Sequence, residues 1–169
     1  VTVPGDPPGG SVGDSFGNQA AFLYQPYWCE ENAWHLCAHP ALAGGETLVA
    51  LITGPQAGAR VRCRRQRLGG AAGMVEWDYH VVVFARPATA SSSAPPPWLA
   101  WDFDTALALP CPAAQWLDHT FTPTPPPRLS PRFRLFSAVD YRRTLASDRA
   151  HMRVGGRWLK PPPPWPAIG

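Results

Sequence analysis

The chain has 169 residues, 45% of them hydrophobic and 16% charged, with a formal charge of +3. That length and balance suit one domain with a real core and exclude an intrinsically disordered chain. No apolar run approaches the ~20 residues a membrane-spanning helix needs, and no charged start leads into an apolar signal segment, so neither membrane insertion nor secretion is indicated.

Residues 1–20 are rich in Gly, Pro, Ser and Asp without periodicity, which predicts a flexible N-terminal arm before a single domain over 21–169. The 22 prolines cluster at 4–8, 95–97, 123–127 and 161–166, and so predict long loops between ordinary elements. In "YWCEENAWHLC" a helix is predicted from Cys29 to a point before Pro40, because the residue before proline avoids the helical region. Residues 29, 33, 36 and 37 fall on one face of it, turning Cys29 inward with Ala33, Leu36 and Cys37.

"TLVALI" (47–52) reads as a buried strand, and "RVRCRRQR" (60–67) as an edge or half-exposed strand with Arg60, Arg62 and Arg64 on one side. That arginine run has the composition of a nucleic-acid stripe, but a solvated strand face accounts for it more simply. "VEWDYHVVVF" (75–84) is predicted as one central strand, with Trp77, Tyr79, Val81 and Val83 on one face and Glu76, Asp78, His80 on the other. "WLAWDFD" (98–104) and "RFRLF" (132–136) follow as strands. "DYRRTLASDRAHM" (140–152) is predicted as a closing helix with Asp140 as N-cap. "KPPPPWP" (160–166) reads as a rigid strap whose Trp165 packs back on the body, with a polyproline II ligand as the alternative. Helix, strands, then helix indicates α+β, with helices packed on a mostly antiparallel sheet.

The four cysteines (29, 37, 63, 111) form no CxxC pair and no zinc spacing, and without a signal segment they point to a reducing compartment. His35, Cys37 and His39 scatter around a helix and do not make a metal site. A helix N-terminus lowers a thiol's pKa, and Cys29 has that setting where Cys37 does not. A histidine must then serve as base. His80 on the central strand and His151 on the last helix, three residues after Asp148, are both open candidates.

Five blocks in order, "YWCEENAWHLC", "WDYHVVV", "WDFDTALALPCP", "FRLFSAVDYRRTLASDRAHM" and "GRWLKPPPPWPAI", resemble the protein N-terminal glutamine amidohydrolase family over about Tyr24 to Ile168. The resemblance implies a papain/transglutaminase-like fold and removal of the side-chain amide from an N-terminal glutamine, giving glutamate and ammonia for the N-degron pathway. It implies a Cys-His-Asp triad of Cys29, His80 and Asp102, and so selects His80 over His151. It also implies no cofactor or metal, a monomer, cytoplasmic and also nuclear residence, proteins or peptides with N-terminal glutamine as substrates, and no nucleic-acid or membrane partner.

Glu30, Glu31 and Asp78 are candidates for the substrate's ammonium, and Trp28, Trp77 and Tyr79 for the pocket wall. Two departures stand out: the variable stretch 85–97, an insertion away from the site, and a segment that family members carry beyond the proline block. A transglutaminase-like acyl transferase is the alternative within enzymes, and a peptide-binding module using the proline tract is the alternative outside them.

Overall fold

In the computed structural model the described residues are 21–88, 94–122 and 124–169. The predicted arm (1–20) and part of the variable stretch (89–93) lie outside them. The elements run α1 Cys29–Leu36, β1 Glu46–Thr53, β2 Val61–Arg64, β3 Met74–Trp77, β4 Tyr79–Arg86 and β5 Leu99–Trp101. There follow β6 Cys111–Pro112, α2 Ala113–Thr120, β7 Arg132–Ser137, α3 Ala138–Thr144, β8 Arg153–Val154 and β9 Arg157–Trp158.

The apolar run of β1 forms an inner strand, between β4 and β7, of a five-stranded sheet in the order β6-β5-β4-β1-β7. Every pairing in that sheet is antiparallel, with Val49 opposite Val83 and Ile52 opposite His80. Side chains alternate across a strand, and here both faces are covered. Val49, Val81 and Val83 join Ala33 and Leu36 of α1 and Tyr141 of α3 in one core. Ala50, Ile52 and Val82 join Val61 and Cys63 of β2 and Trp116 of α2 in the other. Burial on both sides is why β1 and the end of β4 read as continuous apolar runs instead of alternating ones.

Three expectations need correcting. The strand predicted over 75–84 is two strands: β3 pairs with β2 in a separate two-stranded sheet, and β4 enters the main sheet. The break falls at Asp78, where the chain changes partner, and an unbroken β-forming sequence carries no signal of that. The second correction concerns residues 98–104, where the strand stops at Trp101. Asp102 Oδ1 there accepts the N–H of Asp104 at 3.0 Å, an aspartate turn that competes with the ladder.

The third is the closing helix, which runs from Ala138 to Thr144 with Ser137, not Asp140, as its N-cap. Ser137 Oγ accepts the Asp140 N–H at 3.0 Å, which places Asp140 in the first turn, where a carboxylate suits the helix dipole. Beyond Thr144 the chain is drawn off by tertiary contacts, and Arg149 takes a left-handed φ of 60°. An eight-residue helix not predicted from the sequence, α2, buries Trp116 completely.

Two arginines of the run pair with carboxylates and a third is held by backbone carbonyls. Arg60 pairs with Asp78 at 3.0 Å, Arg62 with Glu76 at 2.6 Å, and Arg64 donates to the carbonyls of Asp118 and Phe121. Among the described residues no helix is long and apolar enough to cross a membrane.

Candidate active site

Cys29 opens α1, the helix laid across β4. The corner before it is tied down at both ends of a reciprocal pair. Gln25 N–H donates to Asn32 Oδ1 at 2.9 Å, and Asn32 Nδ2 returns to the Gln25 carbonyl at 2.8 Å. Trp28, fully buried, donates its indole N–H to the Pro161 carbonyl at 2.8 Å. Tyr27 sits at a left-handed φ of 72°, so the chain turns sharply into the helix. The thiol is thereby held at a helix N-terminus, where the backbone N–H groups have no partner within the helix.

His80 is the second residue of β4 and Asp102 the residue after β5. Continuing the register of Val83 with Trp101 would set residue 80 beside the 102–104 turn. His80 Nε2 meets Asp102 Oδ1 at 3.0 Å, with both side chains about 1–2% exposed. That leaves Nδ1 free of Asp102, and Cys29 borders the same cleft, close enough to His80 for each to shift the other's proton affinity. Trp77 stacks on the imidazole, its ring 5.5 Å away and inclined by 11°. The second Asp102 oxygen accepts Trp116 Nε1 at 3.0 Å and Gln66 Nε2 at 3.3 Å. Gln66 in turn accepts the Trp77 indole N–H at 3.4 Å, closing a buried loop of hydrogen bonds around the histidine.

These contacts set the proton affinities. Burial raises the Cys29 thiol, and the hydrogen bond and charge of His80 oppose it. Burial would lower His80, but the charge and hydrogen bond of Asp102, with a smaller contribution from Cys29, hold it well above its ordinary range. Burial would raise Asp102, but the charge and hydrogen bond of His80, then Trp116 and Gln66, keep it below the usual carboxylate range. A basic imidazole beside a thiol, with a charged carboxylate fixing its tautomer, can take the thiol proton and give it back.

A cleft of about 270 Å³ lies over the sulfur, bordered by Tyr27, Trp77, Tyr79, His80, Asp104 and His151 among others. The sequence-predicted residues divide around it. Cys29, His80 and Asp102 converge. Trp77 and Tyr79 line the cleft. Asp78 stands at its rim, largely exposed and paired with Arg60. Glu30 accepts the Tyr79 hydroxyl and lies 3.7 Å from His151 Nε2, on the far side of Tyr79 in an adjoining groove.

Glu31 points elsewhere. It is fully buried, held by Arg149 at 2.8 and 2.6 Å, Ser147 at 2.9 Å and Trp165 at 2.7 Å. Its work is structural, tying the proline strap to the helix that carries Cys29. His151 borders the cleft but does not meet Asp148, whose carboxylate accepts the Ala150 N–H. His39 caps the turn at Pro40 and His35 packs on Trp165, so neither joins Cys37 in a ligand set. One group of metal-ligating type occurs among the described residues, His80 with Asp102 and Asp104, and its contacts are those of the hydrogen-bond network above.

Sequence reasoning missed Gln66, Trp116 and Asn32. Trp116 had a signal in the spacing of Ala113, Trp116, Leu117 and Thr120 on a short helix. Gln66 had none, since its contacts with Trp77 and Asp102 exist only after the two sheets meet.

Comparison with known proteins matches residues 24–169 to the family model described as N-terminal glutamine amidase. Curated proteins named protein N-terminal glutamine amidohydrolase are similar along most of the chain. That of Bos taurus is 32% identical over 155 residues, covering 88% of this chain and 71% of the bovine protein. That of Homo sapiens is 31% identical over 155 residues, covering 88% and 72%. That of Arabidopsis thaliana is 31% identical over 157 residues, covering 87% and 68%.

Proposed function

The chain belongs to the N-terminal glutamine amidase family, and on that premise we propose that it removes the side-chain amide of an N-terminal glutamine through a thiol mechanism at Cys29, His80 and Asp102. The observation that carries the reading is the set of a cysteine at a helix N-terminus, a histidine bordering the same cleft, and a buried aspartate 3.0 Å from that histidine's Nε2. His80 draws the proton from Cys29, and the thiolate attacks the carboxamide carbon. Backbone N–H groups at the start of α1 stabilise the oxyanion. Protonated His80 passes its proton to the departing nitrogen, which leaves as ammonia. A water deprotonated by His80 then hydrolyses the thioester, and Cys29 leaves as the sulfur anion to be reprotonated.

The same arrangement supports a papain/transglutaminase-like fold, because a cysteine-bearing helix packs on an antiparallel sheet that supplies the histidine and the aspartate in that chain order. On this reading the substrates are proteins or peptides with N-terminal glutamine. The enzyme acts as a monomer in the cytoplasm and nucleus, and its product enters the branch of the N-degron pathway that arginylates acidic N-termini. The test is chemical labelling. Iodoacetamide should stop ammonia release, and mass spectrometry should find the adduct on the peptide containing Cys29. Loss of activity with the adduct on Cys37 alone would overturn the assignment.

A further inference from the structure

A site that reads only the first residue of a chain needs an acceptor for the α-ammonium. A glutamine's α-nitrogen lies one short side chain from its amide carbon, so that acceptor must stand beside the sulfur and not across the molecule. Two carboxylates border the cleft over Cys29: Asp78 and Asp104. Asp78 is 81% exposed in its side chain and paired with Arg60, so it offers a solvated, already compensated charge. Glu30 borders the adjoining groove, with one oxygen on the Tyr79 hydroxyl and the other facing His151.

Asp104 differs from all of these. It is 2% exposed and borders both the cleft and the small cavity behind Cys29. Its carboxylate lies within 4.8 Å of the ligating atoms of His80 and Asp102. Among the described residues its carboxylate accepts one side-chain hydrogen bond, from the Tyr24 hydroxyl at 2.6 Å. A carboxylate has roughly four acceptor sites, so capacity remains for an ammonium's donors. Its charged neighbours are the Asp102 carboxylate and the His80 imidazole, whose protonation the mechanism keeps changing, with a weaker influence from Arg67. Nothing in the proposed proton transfers uses it.

We propose that Asp104 is the residue that selects a chain terminus, by receiving the α-ammonium of the substrate while the side-chain amide lies at Cys29. The proposal rests on the reading of the site as acting on N-terminal glutamine. A buried carboxylate next to a second one is costly to keep charged, and an arriving cation relieves both the burial and the repulsion. Binding energy is therefore released only by substrates that bring that cation. Asp104 pushed up to about 6, chiefly by burial, fits this account, because it is still charged at neutral pH.

The test compares two peptides of one sequence, with a free and an N-acetylated glutamine, in wild type, Asp104→Asn, Asp104→Ser and Glu30→Gln, each checked for native circular dichroism. Wild type should prefer the free terminus. Asp104→Asn should lower kcat/KM on the free peptide by on the order of 10- to 100-fold, mainly through KM, and leave the acetylated peptide unchanged. Glu30→Gln should keep the preference. Equal losses on both peptides would mean that Asp104 acts through His80, and would overturn the proposal. So would a preference lost in Glu30→Gln, or unfolding of both Asp104 variants, which would mark a structural residue. Wild type inactive on the free peptide is a different failure, that of the activity itself.

Discussion

At the scale of single residues, the account separates groups that touch the reacting atoms from groups that hold them. Cys29→Ala removes one small, half-buried side chain and should abolish turnover with little change in melting temperature. Cys37→Ala should leave most activity, since its thiol is pushed up to about 12 by burial, with the Arg142 charge opposing only in part. His80→Ala should lower turnover by orders of magnitude, whereas His151→Ala should not, because His151 meets Glu30 and not the sulfur. Near-normal turnover in His80→Ala, measured as ammonia release, contradicts the triad. Asp102→Asn keeps shape but loses the charge that favours the imidazolium formed when His80 takes the thiol proton. In a serine triad the same change costs about 10⁴-fold, and a thiol, being more acidic, should lose less. Gln66→Ala takes one donor from Asp102 and one acceptor from Trp77, so it should reduce kcat modestly and leave KM nearly unchanged.

At the scale of elements, the onset of α1 is held from outside the helix. Glu31 joins it to Arg149 and to Trp165 of the strap, and Pro161 takes the indole N–H of Trp28. Arg149→Met would leave the buried Glu31 carboxylate without its compensating cation, and should cost about 3–5 kcal/mol in urea unfolding. The pH dependence follows from the same cluster. Burial would raise Glu31, but the hydrogen bonds of Arg149, Ser147 and Trp165 outweigh it and hold the carboxyl below its ordinary 4.5. A lowered folded-state pKa stabilises above the ordinary value and is lost as pH falls through the lowered one. Melting temperature should therefore drop on acidification below about 4.5, and Glu31→Gln should flatten that slope. An unchanged slope in Glu31→Gln would remove Glu31 from the account.

These elements also show what a sequence can and cannot disclose. The α1 helix, β1 and the edge strand β7 are legible because their signals are local: helical spacing with a proline limit, an apolar run, a β-rich segment. The split of 75–84 and the early end of α3 are not, because each is decided by a partner far along the chain. For β3 that partner is β2, and for Arg149 it is Glu31. The site follows the same rule. Cys29 is suggested by its place at a helix start, but His80 and His151 border one cleft and local pattern does not choose between them. Burial of Glu31 is hidden too, since two glutamates at a helix start read equally well as solvated first-turn residues.

At the scale of the whole molecule, one sheet with a core on each face delivers the site at its end. α1 brings the thiol from one side, and β4 and β5 bring His80 and Asp102, backed by Trp116 of α2 from the other. The segment 150–160 returns across the opening, with His151, Met152 and Lys160 along the cleft. A cleft walled in this way suits a chain end better than a passing strand. The measurement that tests this most directly is ammonia release, with one enzyme stock, from peptides beginning with Gln, with Asn, with N-acetyl-Gln, and carrying Gln only internally. The account predicts release from the first alone at a substantial rate, with glutamate appearing as residue one. Asn fails because its amide falls a methylene short, and a misplacement of about 1 Å can cost about 10²-fold. Comparable release from the acetylated or internal glutamine would contradict terminus recognition and assign the site to transglutaminase-like acyl transfer instead.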